Sequence, residues 1–387
     1  MPHAEATLVS TIAVSLACAF LGGFVAVKLR LSPIVGYLLA GIVVGPFTPG
    51  FSADTHIAEQ LAEIGVILLM FGVGMHFSLR DLVAVWRIAV PGAITQIAVA
   101  TALGAVLAHF WGWPIGASVV FGIALSVAST VVLLRTLEAQ GTLREEAGRI
   151  AIGWLIVEDL LMVLAMVLLP ALAATPESSA ALWLDLAWTL GKVAAFIALM
   201  LIVGARVLPW LLDQAARTGS RELFTLAVVA TALGIAFGAA ELFGISYALG
   251  AFLAGVVINE SDHSHRAAQD SQPLQDAFAV LFFVAVGMLF DPVILTTEPL
   301  KLLVVVAVII IGKALTAVAI VLLLRYPWRV ALTIGASLAQ IGEFSFVIAA
   351  LGVATGLLPQ DGQNLILAGA LISITLNPLI FWLARRV

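Results

Sequence analysis

A single cysteine, Cys18, stands in a chain of 387 residues. It excludes an internal disulfide and any metal site built from clustered thiolates. Charge is scarce too. Asp, Glu, Lys and Arg together make 11% of the chain, against about 25% in a soluble globular domain. The net charge is −5, and no basic run is long enough to hold nucleic acid. The six histidines are scattered, and none forms the i, i+4 pair beside a carboxylate that reads as zinc. The N-terminus lacks a basic stretch and a small-residue cleavage site, so its first apolar run is expected to stay as a helix. What is present is apolar. Hydrophobic residues make 62%, and a mean hydropathy of +1.15 extends along the whole chain. Such a chain buries its apolar surface only in lipid and between its own helices.

A membrane helix needs about 20 apolar residues to cross a hydrocarbon core about 30 Å thick. Thirteen segments approach that, at roughly 8–29, 33–45, 58–76, 87–110, 115–137, 147–169, 183–210, 221–242, 245–259, 276–290, 300–324, 330–352 and 364–384. A closed barrel would show alternating strands of about 10 residues instead of long apolar runs. The expected fold class is therefore an all-α polytopic membrane protein with thirteen transmembrane helices. With the N-terminus outside, 15 of the 18 Lys and Arg residues fall at the inner face, among them Arg30, Arg80, Arg135, Arg144 and Arg385. Lys301 alone falls outside, while Lys192 and Lys313 lie within helices. The positive-inside rule thus places the N-terminus out and the C-terminus in.

The chain also repeats itself. SPIVGYLLAGIVVG at Ser32–Gly45 aligns with SYALGAFLAGVVIN at Ser246–Asn259. Gly74-Met75-His76-Phe77 aligns with Gly287-Met288-Leu289-Phe290 at nearly the same offset. That offset maps segments one to six onto eight to thirteen. The expected organisation is a first repeat at 1–182, a linker helix at 183–212 and a second repeat at 213–387. A shift by seven helices, an odd number, turns the second copy upside down in the bilayer, an architecture recurrent in secondary transporters.

Charges in the middle of helices are few and informative. Glu158 and Asp159 stand at the centre of the sixth segment, Lys313 at the centre of the eleventh and Glu343 near the middle of the twelfth. A central acid or base costs roughly 2.5–3.5 kcal/mol on insertion, and such residues usually mark ion or proton pathways. A structural ion pair would explain one acid and one base. It leaves a second, adjacent acid unexplained, because neighbouring residues point about 100° apart on a helix. Glu343 follows Gln340-Ile341-Gly342, where glycine permits a helix break, and the repeat offset carries Glu343 onto Thr130, beside Ser129. Paired interruptions in corresponding helices point to a midplane site. His76, His263 and His265 sit at or beyond helix ends and carry no such signal; Lys192 is placed to snorkel.

These residues, with SPIVGYLLAGIVVGP, LAEIGVILLMFGVGMHF, LSVASTVVLLR, IGWLIVEDL, HRAAQDSQPLQDAFAVLFFVAVGMLFDP, GKAL and SLAQIGEFSFV, resemble the membrane domain of the bacterial Kef-type cation/proton antiporter-2 family, closest to its YbaL-like members. The resemblance covers all thirteen segments and implies the sodium/proton-antiporter fold. In that fold helices 4–6 and 11–13 form a moving core, helices 1–3 and 8–10 form a scaffold that dimerises, and helices 5 and 12 cross while unwound. It implies a multi-pass protein of the bacterial inner membrane, periplasmic at its N-terminus and cytoplasmic at its C-terminus. It makes Asp159 the ion- and proton-binding acid and Lys313 the base beside it. Glutathione-gated Kef systems carry Gln-Asp where this chain has Glu158-Asp159, so potassium selectivity and glutathione gating do not carry over. Family members continue into a cytosolic nucleotide-binding domain, whereas this chain stops at Ala384-Arg385-Arg386-Val387. The expectation is that this domain, with any nucleotide, has been cut away; within the chain no cofactor is expected.

The function these readings support is exchange of a monovalent cation, sodium or potassium, for protons by alternating access. Deprotonated Asp159 would bind the cation with Glu158, Ser129 and Thr130, Lys313 would be the charge partner, and Gln340, Gly342 and Glu343 would form the crossover. A gated potassium channel and a sodium-coupled organic-anion symporter remain as alternatives. A membrane enzyme lacks a nucleophile–base or metal constellation.

Overall fold

The computed structural model describes residues 8–29, 31–49, 53–76, 79–139, 141, 142, 145–173, 179–384 and 386. Arg30, Phe77, Arg144, Arg385 and Val387, used above, lie outside that range, as do the side chains of His76, Arg80 and Arg135. Every regular element among the described residues is helical. The first seven helices are α1 (Leu8–Lys28), α2 (Pro33–Val44), α3 (Thr55–His76), α4 (Leu79–Phe110), α5 (Ile115–Ser126), α6 (Thr130–Ala139) and α7 (Glu146–Ala173). Then α8 (Ser179–Leu199) passes through a π turn at Met200–Gly204 into α9 (Ala205–Arg217). Next come α10 (Arg221–Phe243), α11 (Tyr247–Asn259), α12 (Ser264–Met288) and the single turn α13 (Ile294–Thr297). Helix α14 (Pro299–Ala307) continues through a π turn at Val308–Gly312 into α15 (Lys313–Leu323), followed by α16 (Trp328–Leu338), α17 (Glu343–Ala354) and α18 (Gln360–Ala384).

Local chemistry sets several of these ends. Pro33 opens α2 at a position where its missing N–H costs nothing. The hydroxyls of Ser220 and Ser246 cap α10 and α11 by accepting from Leu223 N and Leu249 N. Gly244 ends α10 at φ 64°, a left-handed conformation that suits glycine.

Ten described helical segments are long and apolar enough to cross a membrane, and the bent pair α16–α17 raises the number to eleven. Helices α2 and α11 are apolar but have only 12 and 13 residues, about 18–20 Å at 1.5 Å per residue. Length thus separates them from the full spans. Hydropathy also undershot polar helix ends. The tenth segment was expected to start at 276, yet α12 begins at Ser264, and α4 begins at Leu79 rather than 87.

The chain forms two compact units. The first comprises Met1–Ala19, Thr48–Phe77 and Ala165–Ala285; the second comprises Phe20–Phe47, Ser78–Leu164 and Val286–Val387. In the first, α3 packs on α11 at glycines: Gly74 lies against the Phe252 carbonyl, and Gly255 against that of Phe71. In the second, Gly287 lies against the Leu38 carbonyl and Gly22 against Gly36. Small residues let helices approach to backbone contact, which drives association where lipid supplies no hydrophobic force. The second unit also holds a buried cluster around Trp154, Leu155, Leu133, Ile334 and Phe381. It brings together α6, α7, α16 and α18, the helices that carry or adjoin the polar residues described next.

Candidate functional site

Two helices of the second unit are interrupted, and the interruptions meet. After Ser126 the chain turns extended at Val127 (φ −94°, ψ 136°), and α6 starts at Thr130. After Leu338 it leaves α16, reaches Gly342 (φ −136°, ψ −156°), and α17 starts at Glu343 with a 41° bend. A Cβ on Gly342 would run into Cα and Cβ of Ser129. Each break frees backbone groups that water cannot reach, so side chains must satisfy them.

Gln340 satisfies one set. It is fully buried; its Oε1 accepts from Ser129 N at 2.9 Å and its Nε2 donates to Ser129 O at 3.1 Å. The amide thereby stands in for the peptide group a continuous helix would have supplied. Other carbonyls are closed in the same way. Gln96 Nε2 donates to Ser126 O at 3.0 Å, Asn377 Nδ2 to Ala336 O at 3.1 Å, and Lys313 Nζ to Gln340 O at 2.8 Å.

The three acids gather on the first break. Glu158 Oε2 accepts from Ala128 N at 2.9 Å. Asp159 Oδ2 accepts from the Thr130 hydroxyl at 3.1 Å. Glu343 Oε2 accepts from the Ser129 hydroxyl at 2.8 Å, and that hydroxyl in turn accepts from Val132 N at 3.2 Å. Adjacent acids on α7 thus bond positions two residues apart, Ala128 and Thr130, which is how one helix presents two acids to one site. Exposure is 0% for Glu158 and Lys313, 4% for Asp159 and 1% for Glu343. Each acid has one oxygen bonded and one buried without a partner: Glu158 Oε1, Asp159 Oδ1 and Glu343 Oε1. A buried, unpaired carboxylate oxygen is costly. All three belong to acids bonded to residues 128–130.

All eight residues singled out in the sequence therefore meet here: Ser129, Thr130, Glu158, Asp159, Lys313, Gln340, Gly342 and Glu343. Lys313 bonds a backbone carbonyl rather than a carboxylate, and the acid whose charge it feels is Glu158. Three further residues gave no signal in the sequence. Gln96 and Asn377 are neutral amides flanked by mostly apolar residues in α4 and α18. Trp154, one turn before Glu158, is fully buried with its ring against Gly92.

Known proteins share this architecture. The profile described as sodium/hydrogen exchanger, transmembrane, matches residues 16–383. The chain is 60% identical over 388 residues to YbaL of Escherichia coli (strain K12), provisionally named a cation/proton antiporter, spanning 99% of this chain and 70% of that protein. It is 32% identical over 382 residues to K(+) efflux antiporter 4 of Arabidopsis thaliana, spanning 98% of this chain and 64% of that protein. The sodium proton antiporter MjNhaP1 of Methanocaldococcus jannaschii, solved at pH 8, superposes with a TM-score of 0.78 over 98% of both chains at 16% identity, a likeness of fold.

Proposed function

The chain belongs to the sodium/hydrogen exchanger family of multi-pass membrane proteins, and from that premise we propose that it exchanges a monovalent cation for protons by competition at Asp159. The observation that carries the reading is the set of three unpaired carboxylate oxygens at the double helix break. Deprotonated Asp159 offers Oδ1 to a cation that has shed water, while Thr130 holds Oδ2 in place. Protonation removes the charge and releases the cation. Glu158 adds negative charge and anchors Ala128. Glu343 fixes Ser129, keeping its hydroxyl oriented. Lys313 offsets part of the negative charge and holds the second break through Gln340 O. The loaded site, neutralised by cation or proton, crosses by alternating access; the bare site does not, because an uncompensated charge is costly in the membrane.

Thirteen transmembrane helices in two inverted six-helix repeats remain our reading of the architecture, with α2 and α11 as the two short spans. Matched contacts support it. Gly74 on Phe252 and Gly287 on Leu38 are one contact carried over by the repeat offset, and the same offset places Ser129 on Gly342. The assignment of helices 4–6 and 11–13 as mobile core draws partial support from the second unit, which holds 78–164 and 286–387 together with 20–47, a stretch this reading gives to the scaffold. The protein is further proposed to be a homodimer of the bacterial inner membrane, N-terminus out; native mass spectrometry in mild detergent showing only monomer would contradict the dimer.

The test is proton release from acid-loaded proteoliposomes, read with a pH dye and titrated with Na⁺, K⁺ and Li⁺. Cation-driven dequenching that saturates is expected. Cation flux without proton movement would point to a channel, and sodium-driven uptake of an organic anion to a symporter.

A further inference from the structure

Helix α4 packs on both elements that hold the first break. Towards α5, Gly104 and Gly122 meet backbone to backbone, and about two turns back along α4 the Gln96 side chain reaches Ser126 O. Towards α7, Val85 and Ala89 flank Gly153, and Gly92 seats the Trp154 ring. One turn further along each of these helices stand Gln96 and Glu158.

Gln96 is 0% exposed. Its Nε2 donates to the carbonyl of Ser126, the last residue of α5. The chain turns extended at Val127, so no following helical turn supplies the α-helical donor this carbonyl lacks. Ser126 Oγ closes the neighbouring end by donating to Ile123 O at 2.8 Å. Gln96 Oε1 is buried and has no partner. The residue therefore carries an unpaired acceptor in order to place one donor. Two residues beyond that donor's target, Ala128 N meets Glu158; four beyond, Thr130 meets Asp159.

We propose that Gln96 is a positioning residue of the transport site, holding the Ser126 carbonyl so that the 127–129 break presents Ala128 N and the Thr130 hydroxyl to the acidic pair. The inference rests on antiport at Asp159. A loosened break binds the cation less well but leaves the carboxylates that exchange it. The effect therefore falls on KM for the cation, with kcat changed far less.

The test uses the full chain in proteoliposomes. Gln96→Met keeps the shape and removes both polar atoms. Its KM for the driving cation is expected to rise about tenfold at every pH, the size of one lost hydrogen bond to a buried carbonyl, with weaker discrimination among Na⁺, K⁺ and Li⁺. Gln96→Glu is the second variant, in case the first does not fold. Its carboxyl can donate to Ser126 O when protonated and cannot when ionised, so its KM should approach wild type in acid and rise as pH increases. A packing role would give neither the ion dependence nor that pH profile. Wild-type KM and ion order in Gln96→Met, or a wild-type KM profile across pH in Gln96→Glu, would overturn the inference while antiport stands. A wild-type protein without cation-driven proton flux would remove the antiport reading and this inference together.

Discussion

Ser129 and Gly342 touch backbone to backbone: Ser129 N lies 2.8 Å from the position a Cβ on Gly342 would take, and Ser129 Cα and Cβ lie nearer still. Neither segment is free to retreat, because Gln340 bonds both the N–H and the carbonyl of Ser129. Gly342→Ala is therefore an overpacking substitution against backbone. It should lower stability by about 1–3 kcal/mol and abolish cation-driven proton flux. Thermal melting in detergent and dye dequenching in proteoliposomes check both; a variant normal in each would mean the two breaks are not in contact.

Asp159→Asn and Glu158→Gln separate the roles of the acidic pair. Each new amide oxygen can still accept the existing hydrogen bond, from Thr130 or from Ala128, so the fold should persist in both. Transport should vanish in Asp159→Asn and survive in Glu158→Gln with a changed pH dependence. Full proton flux through correctly folded Asp159→Asn protein would sink competition at that carboxylate. Loss of transport in Glu158→Gln would mean both acids carry charge in each cycle.

Lys313→Met leaves the buried Gln340 carbonyl without its donor and Glu158 without its compensating charge. A loss of about 1–3 kcal/mol is expected from the orphaned carbonyl alone. Lys301→Met is the control. Lys301 pairs with Glu298 at 2.8 Å, but their side chains are 29% and 37% exposed, and such a pair is worth about 0–1 kcal/mol. Equal melting shifts for the two variants would contradict the buried placement of Lys313.

The Ser129–Glu343 bond is measurable by a double-mutant cycle with Ser129→Ala and Glu343→Ala. At 2.8 Å and fully buried, this hydrogen bond should give a coupling of about 0.5–3 kcal/mol in stability. Additivity within about 0.5 kcal/mol would show that the two side chains act independently.

How far the site could be read in advance differs from residue to residue. Glu158, Asp159, Lys313 and Glu343 announce themselves, because a charge in a long apolar run has no inexpensive explanation. The second break carried a local mark in Gly342. The first did not: Val127-Ala128-Ser129 contains neither glycine nor proline, and only the repeat pointed to it. The structure supplies the reason. That break is stabilised from outside by Glu158, Gln340 and Gln96, which lie 30 to 211 residues away along the chain. Gln96 could not be found in the sequence, because a neutral amide barely alters hydropathy and its target is a distant carbonyl. Helix positions were legible wherever the chain is uniformly apolar. They were not legible at the start of α12, where a polar stretch continues the helix.

The exchanged glycine contacts also constrain how the chain is made. Gly287 closes on Leu38, some 250 residues earlier, and Gly74 closes on Phe252. The early helices therefore leave the ribosome before some of the surfaces they will rest on exist. Helix α2 already has α1 beside it at Gly22 and Gly36, but it waits for α12 to supply Gly287, and α3 waits for α11 to supply Phe252. Contacts so distant in sequence are reached late and slowly, so final docking is expected to wait until α11 and α12 have been made.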